Sequence, residues 1–323
     1  MSRRILVTGS AGFLGRHLCR LIRERSDTPV GLDIATDPDA PFMQVVGSVI
    51  DPKSWRTVGA VDGVIHAAAL TDLWRADPGD YDRINTGGSV AAARFARERG
   101  IRMVLVSSYT ALIRAMLDGE HLLDGRDAPD PGELIGPYAQ SKRRAEVEAA
   151  AVHDDVVTVR PTAPIGPGDH APTPPMRLVR EVAAGRLPGV MRGRINVVDI
   201  RDVADAVLEA LLDPAARGAY LLGGEDLSLK DFAARVAREA GVTPPRLEVS
   251  PRIARFSARI DAIRTRFSGR PPAAPLDGVR LAAAPVRFDA ARARAELGFA
   301  CRPLDRSIAD AVAFLRQDSP AAP

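Results

Sequence analysis

The stretch "RILVTGSAGFLGRHLCRLIRER" near the start of the chain restricts the possible fold more than any other segment. An apolar run over residues 4–8 reaches Gly9, and a helical apolar stripe follows Gly12 and Gly15. A strand that turns through glycines into a helix is the first half of a βαβ unit. Glycine lets backbone approach a pyrophosphate, and the helix N-terminus offers that anion free N–H groups and partial positive charge. The segment therefore predicts a parallel α/β fold that binds a dinucleotide.

Strand and helix patterns then alternate along the first half of the chain. Strands are predicted at "PVGLDI", "FMQVVG", residues 61–69, "RMVLVSS" and "DVVTVRP", with helices near residues 82–98 and from Tyr138 onward. This alternation predicts a Rossmann-type, doubly wound parallel sheet. The Pro- and Gly-rich residues 160–175 interrupt it. We predict a dinucleotide-binding domain over residues 1–165, to which about 193–225 also contribute. A smaller, mostly helical substrate-binding lobe is predicted over 166–323, intertwined with it.

Composition excludes several other classes of protein. The chain has 323 residues, 46% of them hydrophobic, and a net charge of only +3 that is spread along its length. A nucleic-acid binder needs a concentrated basic face, which is absent, and no apolar run has the length of a membrane span. The N-terminus lacks the pattern of a secretory signal. Cys19 and Cys301 have no metal-like spacing. We expect a cytoplasmic protein with a small-molecule substrate, no nucleic-acid partner and no metal.

Asp33 ends the second predicted strand, roughly 20 residues beyond the glycine turn, which is the spacing of a ribose-binding carboxylate. Such a carboxylate accepts hydrogen bonds from both adenosine ribose hydroxyls and repels a 2′-phosphate. NAD is therefore the predicted cofactor. NADP is not excluded, since a nearby basic side chain such as Arg3 or Arg4 could outweigh the carboxylate.

A second group of polar residues predicts proton-transfer chemistry. Ser107 and Ser108 end the fifth predicted strand, and Tyr138 and Lys142 lie four residues apart on the following helix, on one face. With the glycine turn, this combination resembles the extended short-chain dehydrogenases/reductases, the NAD-dependent epimerase/dehydratase family. The resemblance covers almost the whole chain, in order: "TGSAGFLG", "LDI", "VIHAAA", "YDRINTGGS", "VSS", "YAQSK", "RPTAPIGPGD", "VVDIRDVADA" and "YLLGGEDLSL".

The resemblance implies a role for each matching residue. Tyr138 is the general acid–base, with its pKa lowered by the Lys142 ammonium and the nicotinamide charge, and Lys142 holds the nicotinamide ribose. Ser108 hydrogen-bonds the reacting oxygen, and Asn85 is structural or part of a proton relay. His66 is more typical of a structural histidine than of a catalytic one. The implied cofactor-binding residues are Gly9, Ser10, Gly12, Phe13, Leu14, Gly15, Asp33, Ser48, Val49, His66, Ala67, Ala68, Ala69, Tyr138, Lys142, Pro161, Thr162 and Ala163.

One position departs from the family pattern. After the third strand the family usually has Gly-Asp, whose carboxylate meets the adenine amine, whereas this chain has Gly47 and Ser48. A serine hydroxyl accepts that hydrogen bond less strongly, so we expect weaker cofactor affinity rather than lost function.

The segment "RPTAPIGP" separates the possible reactions. Nucleotide-sugar epimerases and dehydratases often have Arg-x-x-Asn-x-Tyr-Gly-Pro here, but this chain has Ala163 and Ile165 in place of Asn and Tyr. A site without those polar groups should reject a polar nucleotide. The segment resembles dihydroflavonol reductases and 3β-hydroxysteroid dehydrogenases, and other motifs resemble the hopanoid-associated sugar epimerase group. The substrate pocket is predicted at Thr71, Trp74, Ser108, Tyr109, Pro164 and Ile165.

The predicted function is NAD(P)-dependent hydride transfer between nicotinamide and the keto or hydroxyl group of a bulky, partly apolar substrate, such as a lipid. One alternative is an NAD-dependent sugar epimerase or dehydratase. Another is a non-catalytic dinucleotide-sensing regulator, although such proteins tend to lose the Tyr–Lys pair, which this chain retains.

Two segments predict contacts with other molecules. The Ala-rich faces of the helices at 82–98 and from Tyr138 suit the homodimer interface common in the family. Residues 251–270 carry an apolar stripe and six arginines against Asp261 alone. The stripe comprises Ile253, Phe256, Ile260, Ile263 and Phe267, and the arginines are Arg252, Arg255, Arg259, Arg264, Arg266 and Arg270. This helix either packs its stripe as core or binds an anionic membrane, at the inner face of the cell membrane.

Overall fold

The structure is a computed structural model that describes residues 2–38, 40–268 and 271–318. Its strands are β1 (Arg4–Thr8), β2 (Thr28–Asp33), β3 (Met43–Val46), β4 (Gly63–His66), β5 (Met103–Val106), β6 (His121–Leu123), β7 (Val156–Pro161), β8 (Ala163–Ile165), β9 (Gly189–Met191), β10 (Arg194–Asp199), β11 (Ala219–Leu222), β12 (Glu225–Ser228), β13 (Leu247–Val249) and β14 (Val286–Phe288).

The α-helices are α1 (Phe13–Glu24), α2 (Pro52–Thr57), α3 (Gly79–Tyr81), α4 (Gly87–Arg99), α5 (Gly136–Val152), α6 (Pro174–Ala183), α7 (Ile200–Leu212), α8 (Leu229–Ala240), α9 (Pro251–Ser268), α10 (Leu276–Ala282), α11 (Ala291–Leu297) and α12 (Leu304–Asp318). A π-helical turn, Asp82–Thr86, leads into α4, and short 3₁₀ turns cover Tyr109–Leu112 and Pro131–Glu133. Among the described residues, no helix is long and apolar enough to span a bilayer.

A seven-stranded parallel sheet forms the centre of the molecule, in the order β11-β7-β5-β4-β1-β2-β3. Successive strand residues point to opposite faces, so Ile5 and Val7 pack under α1 and α7, while Leu6 packs toward α2 and α4. The strands are buried on both faces, which explains their nearly continuous apolar sequences. The predicted Rossmann-type α/β fold is confirmed. β11 joins this sheet from beyond residue 165.

A second core lies in the C-terminal part of the chain. β8 pairs in parallel with β10, and β10 pairs antiparallel with β12. Helices α6, α8 and α12 cover this small sheet and bury Phe232, Ile308 and Val312. A third, smaller apolar cluster lies where β6 and β14 pair, near the N-terminus of α5.

Helix α9 shows one difference from the interpretation of residues 251–270 as core. Ile253, Phe256, Ile260 and Ile263 are all exposed, whereas Ala258 and Thr265 are buried. The helix therefore packs through its small residues, and the expectation of a buried apolar stripe is wrong for these four positions. The side chains of Arg266 and Phe267, and Arg270 as a whole, lie outside the described residues.

Candidate active site

The carboxyl ends of the central strands bring most of the predicted site residues to one edge of the sheet. Because all seven strands are parallel, their last residues and the following loops share that edge, where doubly wound sheets bind ligands. The glycine turn follows β1, Asp33 ends β2, and Ser48 and Val49 follow β3. His66 ends β4 with Ala67, Ala68 and Ala69 behind it. Ser107 and Ser108 follow β5, Pro161 ends β7, and Thr162 and Ala163 lead into β8.

The glycine turn has the shape that a dinucleotide pyrophosphate requires. Gly9 has φ of +72°, and a Cβ there would lie 2.8 Å from the Ala68 nitrogen. A Cβ on Gly15 would overlap the Gly9 carbonyl, so this glycine permits α1 to approach β1. No side chain caps the N-terminus of α1 at Gly12, which leaves the first N–H groups, at Phe13 and Leu14, available to an anion. The turn therefore fits a dinucleotide.

Asp33 is held by backbone on both carboxylate oxygens. Its Oδ2 accepts from the Ala11 N–H and its Oδ1 from the Ala35 N–H, each at 3.0 Å. Each oxygen keeps a further lone pair for a ribose hydroxyl. Arg4 begins β1 and Arg3 precedes it, and their side chains bind Ala60 and Asp27 at the opposite edge of the sheet. These two arginines are therefore too far away to favour a 2′-phosphate, and that possibility is wrong.

The side chains after β3 and β4 differ in their exposure to the site. Val49 is buried in the core, so only its backbone is available to a ligand, while Ser48 is half-buried. His66 is buried, and its Nδ1 lies 2.8 Å from the Thr8 hydroxyl. Burial lowers the pKa of His66 to about 3, with Lys142 adding to the effect, so the ring is neutral. His66 therefore has the features of a structural histidine.

Ser108 is oriented by a residue that the sequence analysis missed. Its Oγ accepts from the Thr110 N–H at 3.2 Å and from the Thr110 hydroxyl at 3.0 Å. The Ser108 hydroxyl also lies near the Tyr138 phenol and acts to lower its pKa. The Ser107 hydroxyl is buried and has no hydrogen-bond partner among the described residues. Ser108 is therefore the serine that lies near the Tyr138 phenol. The Ser-x-Thr spacing is the sequence feature from which Thr110 could have been predicted.

Tyr138 and Lys142 share one face of α5. The Lys142 ammonium donates to the Val106 carbonyl at 2.7 Å. Burial lowers the pKa of Lys142 to about 8, opposed by Glu146. Burial raises the pKa of Tyr138 to about 12, opposed by the nearby Ser108 hydroxyl. A lowering of the Tyr138 pKa by the Lys142 ammonium is not seen in this chain, because desolvation is the largest effect and the ammonium faces a backbone carbonyl.

Glu146 extends this face of α5 by one more turn. Its carboxylate accepts two hydrogen bonds from Arg160, at 2.8 and 2.7 Å, and both side chains are almost fully buried. Arg160 also donates to the Gly125 carbonyl at 2.6 Å, and Arg143 lies 3.1 Å from the carboxylate. This ion pair joins α5 to β7 behind Lys142.

Asn85 lies in the π-helical turn and connects two parts of the site. Its Oδ1 accepts from the Leu70 N–H at 2.8 Å, and its Nδ2 donates to the Leu70 carbonyl and to Ser141 Oγ. Ser141 in turn donates to the Tyr138 carbonyl. The amide therefore uses its donors and acceptor to hold the loop after β4 against α5, which is a structural role.

Two aromatic side chains, Tyr81 and Tyr109, lie beside Tyr138. The Tyr81 ring packs edge-on at 6.1 Å from the Tyr138 ring, and Tyr109 packs against Phe288 at 5.3 Å. Leu73 belongs to the same cluster. The Gly136 backbone, with φ of +78°, approaches the Asp277 carboxylate so closely that a Cβ would overlap it. Tyr81, Asp277 and Phe288 were missed, and the two from the C-terminal lobe have no local sequence signal.

The predicted substrate pocket is only partly supported by this geometry. Tyr109 lies in the apolar cluster, and Pro164 is half-buried nearby in β8. Ile165 is fully buried in the core under α6, so its prediction as a pocket residue is wrong. Thr71 is exposed and Trp74 half-buried, but their neighbour Leu73 is the residue of this loop in the cluster.

Known proteins resemble this chain over nearly its whole length. It is 32% identical to a Synechocystis protein that carries a dihydroflavonol 4-reductase name, with 97% of this chain and 94% of that protein aligned. It is also 32% identical to a 2-alkyl-3-oxoalkanoate reductase of Stenotrophomonas maltophilia, over 83% and 86% of the two chains. UDP-glucose 4-epimerase of Thermus thermophilus, solved with NAD, superposes with a TM-score of 0.75 over 97% and 99% of the chains. At 21% identity, that likeness shows the fold alone.

The NAD dependent epimerase/dehydratase family matches residues 5–223, from the first strand to the last strand of the central sheet. This match confirms the family resemblance and the expectation of an NAD cofactor. The glycine turn, Asp33 and the Tyr–Lys pair lie within the matched region. The chain is an enzyme of the extended short-chain dehydrogenase/reductase type and belongs to the NAD dependent epimerase/dehydratase family.

Proposed function

We propose that this enzyme transfers a hydride between NAD and a keto or hydroxyl group of a bulky, partly apolar, lipid-like substrate. The supporting observation is that Tyr138 packs edge-on against Tyr81 and lies beside Tyr109, which belongs with Leu73 and Phe288 to one apolar cluster. Apolar pockets with few polar groups bind apolar ligands by burying their surface. The substrate lies between the dinucleotide-binding part, residues 1–165, and the lobe at 166–323.

The chain's own residues supply the proton. When bound, the nicotinamide supplies or accepts the hydride. Tyr138 is protonated at neutral pH because burial raises its pKa to about 12, so its hydroxyl can donate to a carbonyl oxygen. Ser108, held by Thr110, hydrogen-bonds the same oxygen and keeps it near the phenol. Lys142 places a positive charge behind this pair and is available to the cofactor ribose.

The glycine turn and Asp33 would hold the cofactor. The pyrophosphate would bind the first N–H groups of α1, and Asp33 would accept from the adenosine ribose hydroxyls. Asp33 disfavours NADP, because a 2′-phosphate would meet its negative charge. Ser48, Thr162 and the backbone after β4 would complete the site.

The relatives support a ketone rather than a nucleotide sugar. Both names at 32% identity are those of reductases, and 2-alkyl-3-oxoalkanoate denotes a ketone that bears alkyl groups. Ala163 is buried and its methyl group cannot make the hydrogen bonds that an amide would offer a nucleotide. The alternative remains a sugar epimerase, which the family name includes.

One assay separates these two functions. The purified enzyme is given NADH with a 2-alkyl-3-oxoalkanoate, and separately NAD with UDP-glucose. The proposal expects stoichiometric NADH oxidation with the ketone and no conversion of the sugar. Interconversion of UDP-glucose and UDP-galactose without net change in NADH would overturn it and establish the epimerase. Tyr138→Phe serves as the control in both assays.

We also propose that the protein forms a cytoplasmic homodimer through α4 and α5. These helices pack side by side, and α5 leaves Val147 46% exposed on its outer face. Ala91 and Ala150 are small and at least partly exposed on the same pair of helices, so they permit close approach of a second copy.

A further inference from the structure

Helix α9 presents an apolar face directly to solvent. Ile253, Phe256 and Ile263 are each more than 60% exposed, and Ile260 is 38% exposed. Residues of a helix are about 100° apart around its axis, so these four lie within one quarter of its circumference. The opposite side carries the buried Ala258 and Thr265, and the helix packs on α10. The apolar face therefore points away from the protein.

Arginines border this face on both edges. On the same helical projection, Arg252 and Arg259 lie along one edge and Arg264 along the other, while Arg255 lies further round the helix and lines a neighbouring cavity. Within the described part of the chain, none of the four is in an ion pair with a carboxylate. Asp261, the acidic residue of the helix, lies toward the protein and accepts from the Ala273 N–H at 2.8 Å. The exposed surface of α9 is therefore apolar at its centre and cationic at its borders.

This arrangement differs from the other exposed apolar residues of the described chain. Ile34, Met116, Leu122 and Leu247 are also exposed, but they lie on different elements, and Met43 and Val46 share β3 but point to opposite faces of the sheet, since they are three residues apart. Isolated surface residues of this kind are normal, whereas a contiguous apolar face marks an interaction site.

We propose that this face of α9 docks on an anionic lipid bilayer. Its four large apolar side chains enter the boundary between headgroups and acyl chains, about 5–10 Å deep. The long arginine side chains at the borders reach the lipid phosphates and carboxylates. A protein partner would have to match both the apolar centre and two cationic edges, whereas an anionic bilayer does so without specific contacts.

The position of α9 relates the docking face to the active site. A cavity of about 230 Å³ lies beside the helix, and three arginines line it together with apolar residues that include Leu117 and Ile135: Arg114, Arg255 and Arg280. Ile135 directly precedes α5, which carries Tyr138. Docking through α9 places this cavity near the lipid surface, where the partly apolar substrate of the proposed function would enter. The docking face rests on the geometry of α9 alone, while its use in collecting substrate rests on the proposed function.

Vesicle co-sedimentation tests the docking face. The full-length protein is pelleted with vesicles of phosphatidylcholine and phosphatidylserine, or of phosphatidylcholine alone. We expect binding to the anionic vesicles at about 0.01 M salt, where the Debye length is about 30 Å, and loss of binding at about 1 M salt, where it is about 3 Å. Phosphatidylcholine alone should bind at least tenfold more weakly.

Two pairs of substitutions separate the apolar and cationic contributions. Ile253→Ser with Phe256→Ser should lower the vesicle partition coefficient at least tenfold, whereas Leu247→Ser with Leu122→Ser, equally exposed elsewhere, should leave it unchanged. Arg252→Gln with Arg259→Gln should weaken binding at low salt. The exposed Arg56→Gln with Arg238→Gln serves as its matched control.

Two outcomes would overturn the docking face. One is that the wild-type protein stays in the supernatant with anionic vesicles at low salt. The other is that the wild-type protein self-associates instead of binding vesicles, and that Ile253→Ser with Phe256→Ser abolishes this self-association. A second copy of the chain, rather than a bilayer, would then cover the face. NADH binding, followed by fluorescence, should be unchanged in every α9 variant, and it separates a failure of docking from a failure of the proposed catalysis.

Discussion

At the scale of single residues, Tyr138 and Lys142 have opposite responses to the same burial. Desolvation disfavours the charged form of each group, so the phenol stays protonated to higher pH and the ammonium loses its proton at lower pH. At neutral pH the pair is therefore a neutral acid beside a cation. This is the state required to protonate a carbonyl oxygen.

Removing the phenol hydroxyl tests this assignment. Tyr138→Phe keeps the ring that packs against Tyr81, so the fold and NADH binding should survive. Ketone reduction should slow by about 10²–10⁴-fold, the range for a general acid–base group. Tyr220→Phe makes the same change far from the site and should leave turnover near normal. Wild-type turnover in Tyr138→Phe would refute the role of the phenol.

The pH dependence of reduction tests Lys142. Its pKa is lowered to about 8, so the ammonium is present below that pH and lost above it. Tyr138 keeps its proton throughout this range because its pKa is about 12. We expect kcat/KM for ketone reduction to be level below pH 8 and to fall above it. A profile that stays level to about two pH units above the Lys142 pKa would show that the charge of this lysine is not needed.

At the scale of elements, α5 is held to the sheet by the buried Glu146–Arg160 pair. Removing one partner of a buried ion pair leaves the other charge uncompensated, at a cost of about 3–5 kcal/mol. Glu146→Gln should lower the free energy of unfolding by this amount in urea denaturation. The exposed Glu148→Gln on the same helix should change it by less than about 0.5 kcal/mol. Equal effects of the two substitutions would show that the buried pair does not stabilise the fold.

The elements also show what could be predicted from sequence. The strands β1, β2, β4, β5 and β7 were predicted because each is a buried apolar run next to glycine or polar residues. For α9, the spacing of the apolar residues predicts that they share one face of the helix, but it does not predict what that face contacts. Helical periodicity is the same for a stripe against a core and for one against water, so only the packing of Ala258 on its neighbours distinguished them.

The candidate site shows a similar division. Gly9, Asp33, Ser108, Tyr138 and Lys142 belong to local motifs, and the parallel sheet places them at one edge. Asp277 and Phe288 reach the same site from the C-terminal lobe, through contacts with Gly136 and Tyr109. No local pattern in the sequence indicates such long-range contacts. The sequence therefore predicts the proposed catalytic residues more completely than the residues of the proposed substrate pocket.

At the scale of the whole molecule, α4 and α5 determine the proposed assembly. Val147→Glu would place a charge in the dimer interface, where its desolvation is unfavourable. We expect light scattering to give a dimer for the wild-type protein and a monomer for the variant, with turnover per subunit retained. The exposed Arg238→Glu on α8, outside the proposed interface, is a charge-changing control. A wild-type protein that is monomeric at every concentration would refute the dimer.

The late arrival of β11 in the central sheet has a consequence for biosynthesis. The ribosome has made all of β1 to β10 before Ala219–Leu222 can pair with β7 and bury Tyr220 and Leu222. Until then the growing chain exposes an unpaired edge of β7, the kind of edge that invites association with other nascent chains. The central sheet can therefore be completed during translation only after about two-thirds of the polypeptide has been made.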